Sequence, residues 1–129
     1  MASNLSDLIA SITAGLDFIS ETDAPISAVE LGRLEDLSES GTAEATAAEG
    51  EGEEVAFDDW FAPLIAVREG DQELQRSRAK KFLELKTLLE ENLRDLTVYK
   101  FGSVRKKIFV LGRNSDGRVQ GIATESVET

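Results

Sequence analysis

Leucine and isoleucine recur at spacings of three and four near the start of the chain, at Leu5, Leu8, Ile9, Ile12, Leu16 and Ile19. With 3.6 residues per turn that spacing gathers them on one face, so the segment predicts an amphipathic helix laying one stripe on a core. Ser3 or Asn4 can cap its start, and Asp7 suits the positive end of the helix dipole. The run Ser20-Glu21-Thr22-Asp23-Ala24-Pro25 predicts a polar turn, because proline pushes the residue before it out of the helical region. A short strand is expected over Ser27 to Leu31.

From Leu37 to Glu54 the pattern vanishes into Ser, Gly, Ala, Thr and Glu, with little that can offset the entropy of ordering. This predicts a mobile acidic loop over 37–54, a solvated linker rather than a binding arm. Apolar residues return at Val55, Phe57, Trp60, Phe61, Leu64, Ile65 and Val67, and Phe57 to Phe61 are expected to anchor the chain on the core. Asp71 to Leu93 predicts a helix about 35 Å long at 1.5 Å per residue, with Leu74, Phe82, Leu85, Leu89 and Leu93 on its apolar face. Its basic residues Arg76, Arg78, Lys80, Lys81 and Lys86 alternate with Glu84, Glu90 and Glu91 and lack interleaved aromatics. They predict a solvated face rather than a nucleic-acid stripe.

Three strand-like runs close the chain: Val98 to Phe101, Lys107 to Gly112 and Val119 to Thr124. Gly102 marks the first turn, and Asn114-Ser115-Asp116-Gly117 carries an Asp-Gly pair suited to a hairpin. Together these elements predict an α+β fold: a three-layer α-β-α sandwich with an antiparallel sheet, two long helices and the acidic loop. Its 129 residues are expected to form one domain, 1–129.

Composition narrows the function. The chain has no cysteine and no histidine, which removes disulfides, thiolate chemistry and the commonest general acid/base. Carboxylate-pair hydrolysis is the remaining route to catalysis, but such sites favour aromatic-lined clefts, and only 6% of residues are aromatic. No enzyme activity is expected, and no cofactor. The glycines at 41, 50 and 52 lack the strand and helix of a phosphate-binding loop. Asp58-Asp59 and the acidic run 51–54 show no regular set of calcium ligands. No apolar run is long enough to span a membrane, and Met1-Ala2-Ser3-Asn4 lacks the basic start of a secretory signal, so a cytoplasmic location is expected.

The net charge is −11, and it is uneven: residues 1–67 hold fifteen acidic residues and one basic, whereas 68–129 hold ten acidic and thirteen basic. Such a field repels nucleic acid and anionic membrane and steers a basic protein toward the acidic surface. The commoner reading of an acidic balance is solubility alone.

Val98-Tyr99-Lys100-Phe101-Gly102, Ile108-Phe109-Val110-Leu111-Gly112, Gly121-Ile122-Ala123-Thr124 and the closing Val127-Glu128-Thr129 resemble the nuclease A inhibitor family. So do Gly15 to Pro25 and the Phe57-Asp58-Asp59-Trp60-Phe61 block, and the similarity spans most of the chain outside the acidic loop. The resemblance implies a three-layer α-β-α protein that inhibits an intracellular, sugar-nonspecific, Mg-dependent endonuclease. It also implies that the C-terminal Thr129 reaches the partner's Mg²⁺, with Glu128 beside it, and that Glu21, near Asp23, engages a basic residue of the enzyme. The family's Asp-Trp pair ahead of the long helix falls at Glu69-Gly70, where this chain lacks the Trp and with it a hot spot worth about 2 kcal/mol or more.

The partner-binding residues expected are therefore Glu21, Asp23, Glu69, Glu128 and Thr129. Without the resemblance, Val127-Glu128-Thr129 reads as a frayed strand end and Glu21 as a turn residue. The alternative function is an inhibitor-like scaffold that binds a different basic protein without inhibiting a nuclease. The sequence leaves the oligomeric state open.

Overall fold

A computed structural model describes residues 3–14, 16–19, 23–32, 42, 50–67 and 69–127. Among the described residues the helices seen from end to end are α1 (Ser3–Thr13), α2 (Phe57–Ile65) and α3 (Glu73–Asn92); the strands are β1 (Asp17–Ile19), β2 (Asp23–Pro25), β3 (Ser27–Gly32), β4 (Gly52–Ala56), β5 (Arg94–Phe101), β6 (Arg105–Arg113) and β7 (Val119–Val127). Five strands form one antiparallel sheet in the order β3-β7-β6-β5-β4, and β1 and β2 pair as a separate two-stranded ribbon. The fold is α+β.

The C-terminal meander forms as the alternation predicts, with β5, β6 and β7 each longer than the apolar run that announced it. Asn114 builds the β6–β7 turn: its Oδ1 accepts hydrogen bonds from the Asp116 and Arg118 amides at 2.9 and 3.0 Å. Gly117 supplies the positive φ, 80°, that this turn needs. Period-two alternation splits the strands into two apolar faces. Val98, Ile108, Val110 and Ile122 point to the face covered by α1, α2 and α3, where Leu5, Ile9, Phe61, Phe82, Leu85 and Leu89 complete the core. Tyr99, Phe101, Phe109, Leu111 and Val119 form a second buried cluster on the other face.

Leu85 and Leu89 of α3, a turn apart, are both fully buried, with Ala79 and Phe82 beside them on the same face. A capping box closes the start of α3: Gln75 Oε1 accepts the Gln72 amide at 2.6 Å, and the Gln72 side chain returns a bond to the Gln75 backbone. In α2, Phe57, Trp60 and Phe61 share one buried face, with Trp60 edge-on to Phe61 at 4.9 Å between centroids. The anchoring role expected of this block holds.

Four expectations are corrected. The first helix stops at Thr13, whose Oγ1 bonds back to Ile9 carbonyl at 2.8 Å, and the chain re-forms as β1 by Asp17, so Ile19 belongs to a strand. The turn expected through Pro25 instead contains β2, because Asp23–Pro25 finds a partner in β1. The loop expected over 37–54 loses its last three residues to β4, where Gly52, Glu53 and Glu54 pair with Phe101, Lys100 and Tyr99 because backbone bonding outweighs poor composition, while 37–41 and 43–49 lie outside the described residues. Leu74 leaves the apolar face of α3 and is 69% exposed, in the first turn of the helix, ahead of the buried Ala79 and Phe82. On the second face every member of the apolar cluster comes from β3, β5, β6 or β7. None of the described helices is long and apolar enough to cross a membrane.

Candidate functional site

Strand order and direction decide which of the acidic residues can act together. β7 runs antiparallel to β3, with Ser27 opposite Ala123, so the segment preceding β3 lies alongside the C-terminal half of β7. Both β1 and β2 pack against β7, and Thr124 Oγ1 donates a hydrogen bond to the Pro25 carbonyl at 3.1 Å. Asp23, the first residue of β2, thus sits near the end of the sheet where β7 finishes at Val127. Glu21, Glu128 and Thr129 lie outside the described residues.

Glu69 reaches this end by a different route. α2 and α3 run antiparallel: Asp58 at the start of α2 meets Lys86 late in α3, while Leu64 and Ala66 face Gln75 and Ala79 across a groove. α3 then enters β5 through the single residue Leu93 and reverses direction. Its N-terminus, with the exposed Glu69-Gly70 turn before it, is therefore directed toward the end where β5 and β7 finish. Gly70 has φ 91°, a left-handed conformation that glycine adopts without strain and a tryptophan does not.

The surface here is not uniformly acidic. Arg105 stands opposite Val127, and Lys107 opposite Glu125, at the start of β6. Val67, Leu74 and Val104 are more than half exposed and belong to turns or helix starts at this end. The basic triplet Arg105-Lys106-Lys107 is visible in the sequence, but its place beside the end of β7 is not, because that depends on a register of some twenty residues' separation. The exposure of Val67 and Leu74 gave no sequence signal, since both look like core residues.

Chemically the arrangement suits recognition. Glu69 in its exposed turn and the exposed Val67 and Leu74 on either side of it in the chain can meet another protein's surface. Each of two grooves on the described surface holds one carboxylate, Asp71 or Glu91, and neither offers the pair that glycoside hydrolysis requires. Among the described residues no three metal-ligating side chains cluster.

Comparison with curated proteins returns no match. A family model described as "Nuclease A inhibitor-like protein" matches residues 3–129, nearly the whole chain, including the ribbon, both helices flanking Glu69 and the C-terminal tail. The chain therefore belongs to the nuclease A inhibitor-like protein family.

Proposed function

We propose that this protein is a proteinaceous inhibitor of a sugar-nonspecific, Mg-dependent endonuclease, acting in the cytoplasm as a single non-catalytic domain. The observation that carries the reading is the family match, which runs through the C-terminal tail to residue 129. Val127-Glu128-Thr129 enters the nuclease's active site, and the Thr129 hydroxyl, with the Glu128 carboxylate beside it, offers oxygen ligands to the partner's Mg²⁺, a hard ion that prefers them. Glu21 and Asp23 engage basic residues beside that site, and Glu69 extends the acidic contact.

Geometry supports the grouping. Glu21 and Thr129 each lie two residues from a described strand end, Asp23 and Val127, a reach of at most about 7 Å of extended chain. Those two strands pack together. The overall charge of −11 adds long-range steering toward a basic groove built to hold nucleic acid. The three-layer α-β-α arrangement belongs to the same reading, and the burial of Tyr99, Phe101 and Leu111 on the second sheet face is what supports it.

The test is titration of the protein into a sugar-nonspecific, Mg-dependent nuclease from the same genome while plasmid cleavage is followed, beside a version lacking Thr129. Stoichiometric inhibition lost on removing Thr129 is expected. Equal inhibition by the shortened chain overturns occlusion by the tail. A second reading, binding of another basic protein through the acidic surface, is favoured by one observation: Gly70 stands where the family's Trp is expected. That reading expects cleavage to continue at excess inhibitor and a C-terminal tag to leave partner binding intact.

A further inference from the structure

At the end of the sheet away from the proposed docking surface, two arginines are direct cross-strand partners. Arg94 opens β5 and stands opposite Arg113, the last residue of β6. Residues so paired share a face with Cβ atoms about 5 Å apart, and like charges there repel. Neither guanidinium has an ion-pair partner among the described residues. Arg113 Nη1 donates to the Gly117 carbonyl at 3.3 Å, and the exposed Arg94 guanidinium makes no hydrogen bond among the described residues.

The two arginines line a cleft of about 240 Å³ with Asn92, Asn114, Ser115 and Glu91. Its walls are held in place. On one side, Asn114 Oδ1 is committed to two turn amides, which leaves its NH₂ group as the free end of the side chain. On the other, Asn92 Nδ2 caps the Leu88 carbonyl at 2.8 Å and the Leu93 amide caps Leu89 at 2.8 Å, so two of the last carbonyls of α3 are satisfied from within. Gly112 brings the walls together: a Cβ there would lie 2.8 Å from the Arg94 carbonyl oxygen and 2.9 Å from Leu93 Cβ. The β5–β6 register shifts between Arg94 and Thr97, and Asp95 there has a φ of 56°, the one positive value among described non-glycine residues. A left-handed backbone residue, two facing arginines and a cleft with hydroxyl and amide donors coincide. Glu91, the one carboxylate in the lining, offsets one of the two positive charges.

We propose that this cleft binds a phosphate group, as free phosphate or as the phosphate of a mononucleotide. Each guanidinium presents a planar fork matched to two phosphate oxygens, and the dianion relieves the repulsion between Arg94 and Arg113. Ser115 and the Asn114 amide supply the further neutral donors. This site is independent of the tail, of Glu21 and of Glu69, and stands or falls apart from nuclease inhibition.

The experiment is a titration of the ¹⁵N-labelled full chain with inorganic phosphate and, separately, with adenosine 5′-monophosphate, at constant ionic strength held with sodium chloride. Saturable shifts of the Arg94 and Arg113 Nε–H and Asn114 side-chain resonances are expected with both. Equal affinities assign the site to phosphate alone, and tighter binding of the nucleotide assigns it to the monoester. Arg94→Gln, at an exposed position, is expected to weaken binding about tenfold or more while the remaining spectrum stays in place. Shifts that grow linearly without saturation, or that persist in Arg94→Gln and in Arg94→Gln/Arg113→Gln alike, overturn the proposal.

Discussion

The Lys86 ammonium lies 3.3 Å from the Asp58 carboxylate and so ties α3 to the first turn of α2. The two partners are unequal: the Lys86 side chain is 17% exposed and that of Asp58 80%. Lys86 also sits 5.8 Å from the centroid of the Phe57 ring, within cation–π range. Its stem therefore packs while its charge meets solvent-screened partners. Asp58→Asn is expected to cost under about 0.5 kcal/mol and Lys86→Ala about 1 kcal/mol, through lost packing. Urea unfolding of both variants at low and high salt checks this; a large, salt-sensitive loss in Asp58→Asn would contradict it.

The sheet should be intolerant of a methyl group at Gly121. A Cβ on this residue collides with the Val110 carbonyl oxygen, a backbone atom that cannot step aside without breaking the β6–β7 ladder. Gly121→Ala is expected to destabilise by about 2 to 4 kcal/mol. The measurement is the urea midpoint. A midpoint within error of the parent protein's would show that the two strands are less closely seated.

On α3, two large apolar residues that look alike in the sequence should behave oppositely. Phe82 is 1% exposed at the centre of the helix-covered core, and Phe82→Ala is expected to cost about 3 to 5 kcal/mol. Leu74→Ala is expected to change stability by less than about 0.5 kcal/mol. Thermal unfolding distinguishes them, and a costly Leu74→Ala would mean that Leu74 is covered in solution.

Gln120 lies 3% exposed on the helix-facing side of β7, opposite Gly112, and its Oε1 is buried without a hydrogen-bond partner among the described residues. An acceptor stripped of water and left unpaired opposes folding, so Gln120→Met is expected to stabilise the protein by about 1 kcal/mol. A lower melting temperature in the variant would instead reveal a bound water or a partner for that oxygen.

Binding should depend on salt as its charge distribution dictates. If the acidic surface steers the protein onto a basic partner, the association rate is expected to fall steeply between low and physiological ionic strength while the dissociation rate changes little. Stopped-flow measurements with the nuclease provide both rates. An association rate indifferent to salt would remove steering from the proposal.

Local chemistry in the sequence was enough to determine the meander, the long helix and the anchoring aromatic block. Alternation in β5 to β7, 3.6-residue spacing in α3 and the Asp-Gly turn act over a few residues, so neighbours in the chain decide the outcome. The absence of His and Cys likewise bounded the chemistry before any fold was known. Tertiary structure decided where local preference was weak or outvoted. Glu53 and Glu54 are poor strand formers, yet β5 offered open backbone groups and β4 formed. Asp17–Ile19 left the helix that its apolar spacing favoured because β2 was there to pair with it. The candidate site is the extreme case: Asp23, Glu69 and the end of β7 are far apart in sequence, and only strand order and the reversal at Leu93 direct them to one end of the sheet. No periodicity encodes that convergence, because it depends on which long-range pairings recover the entropy of closing large loops. The Arg94–Arg113 pair arises in the same way, from register alone.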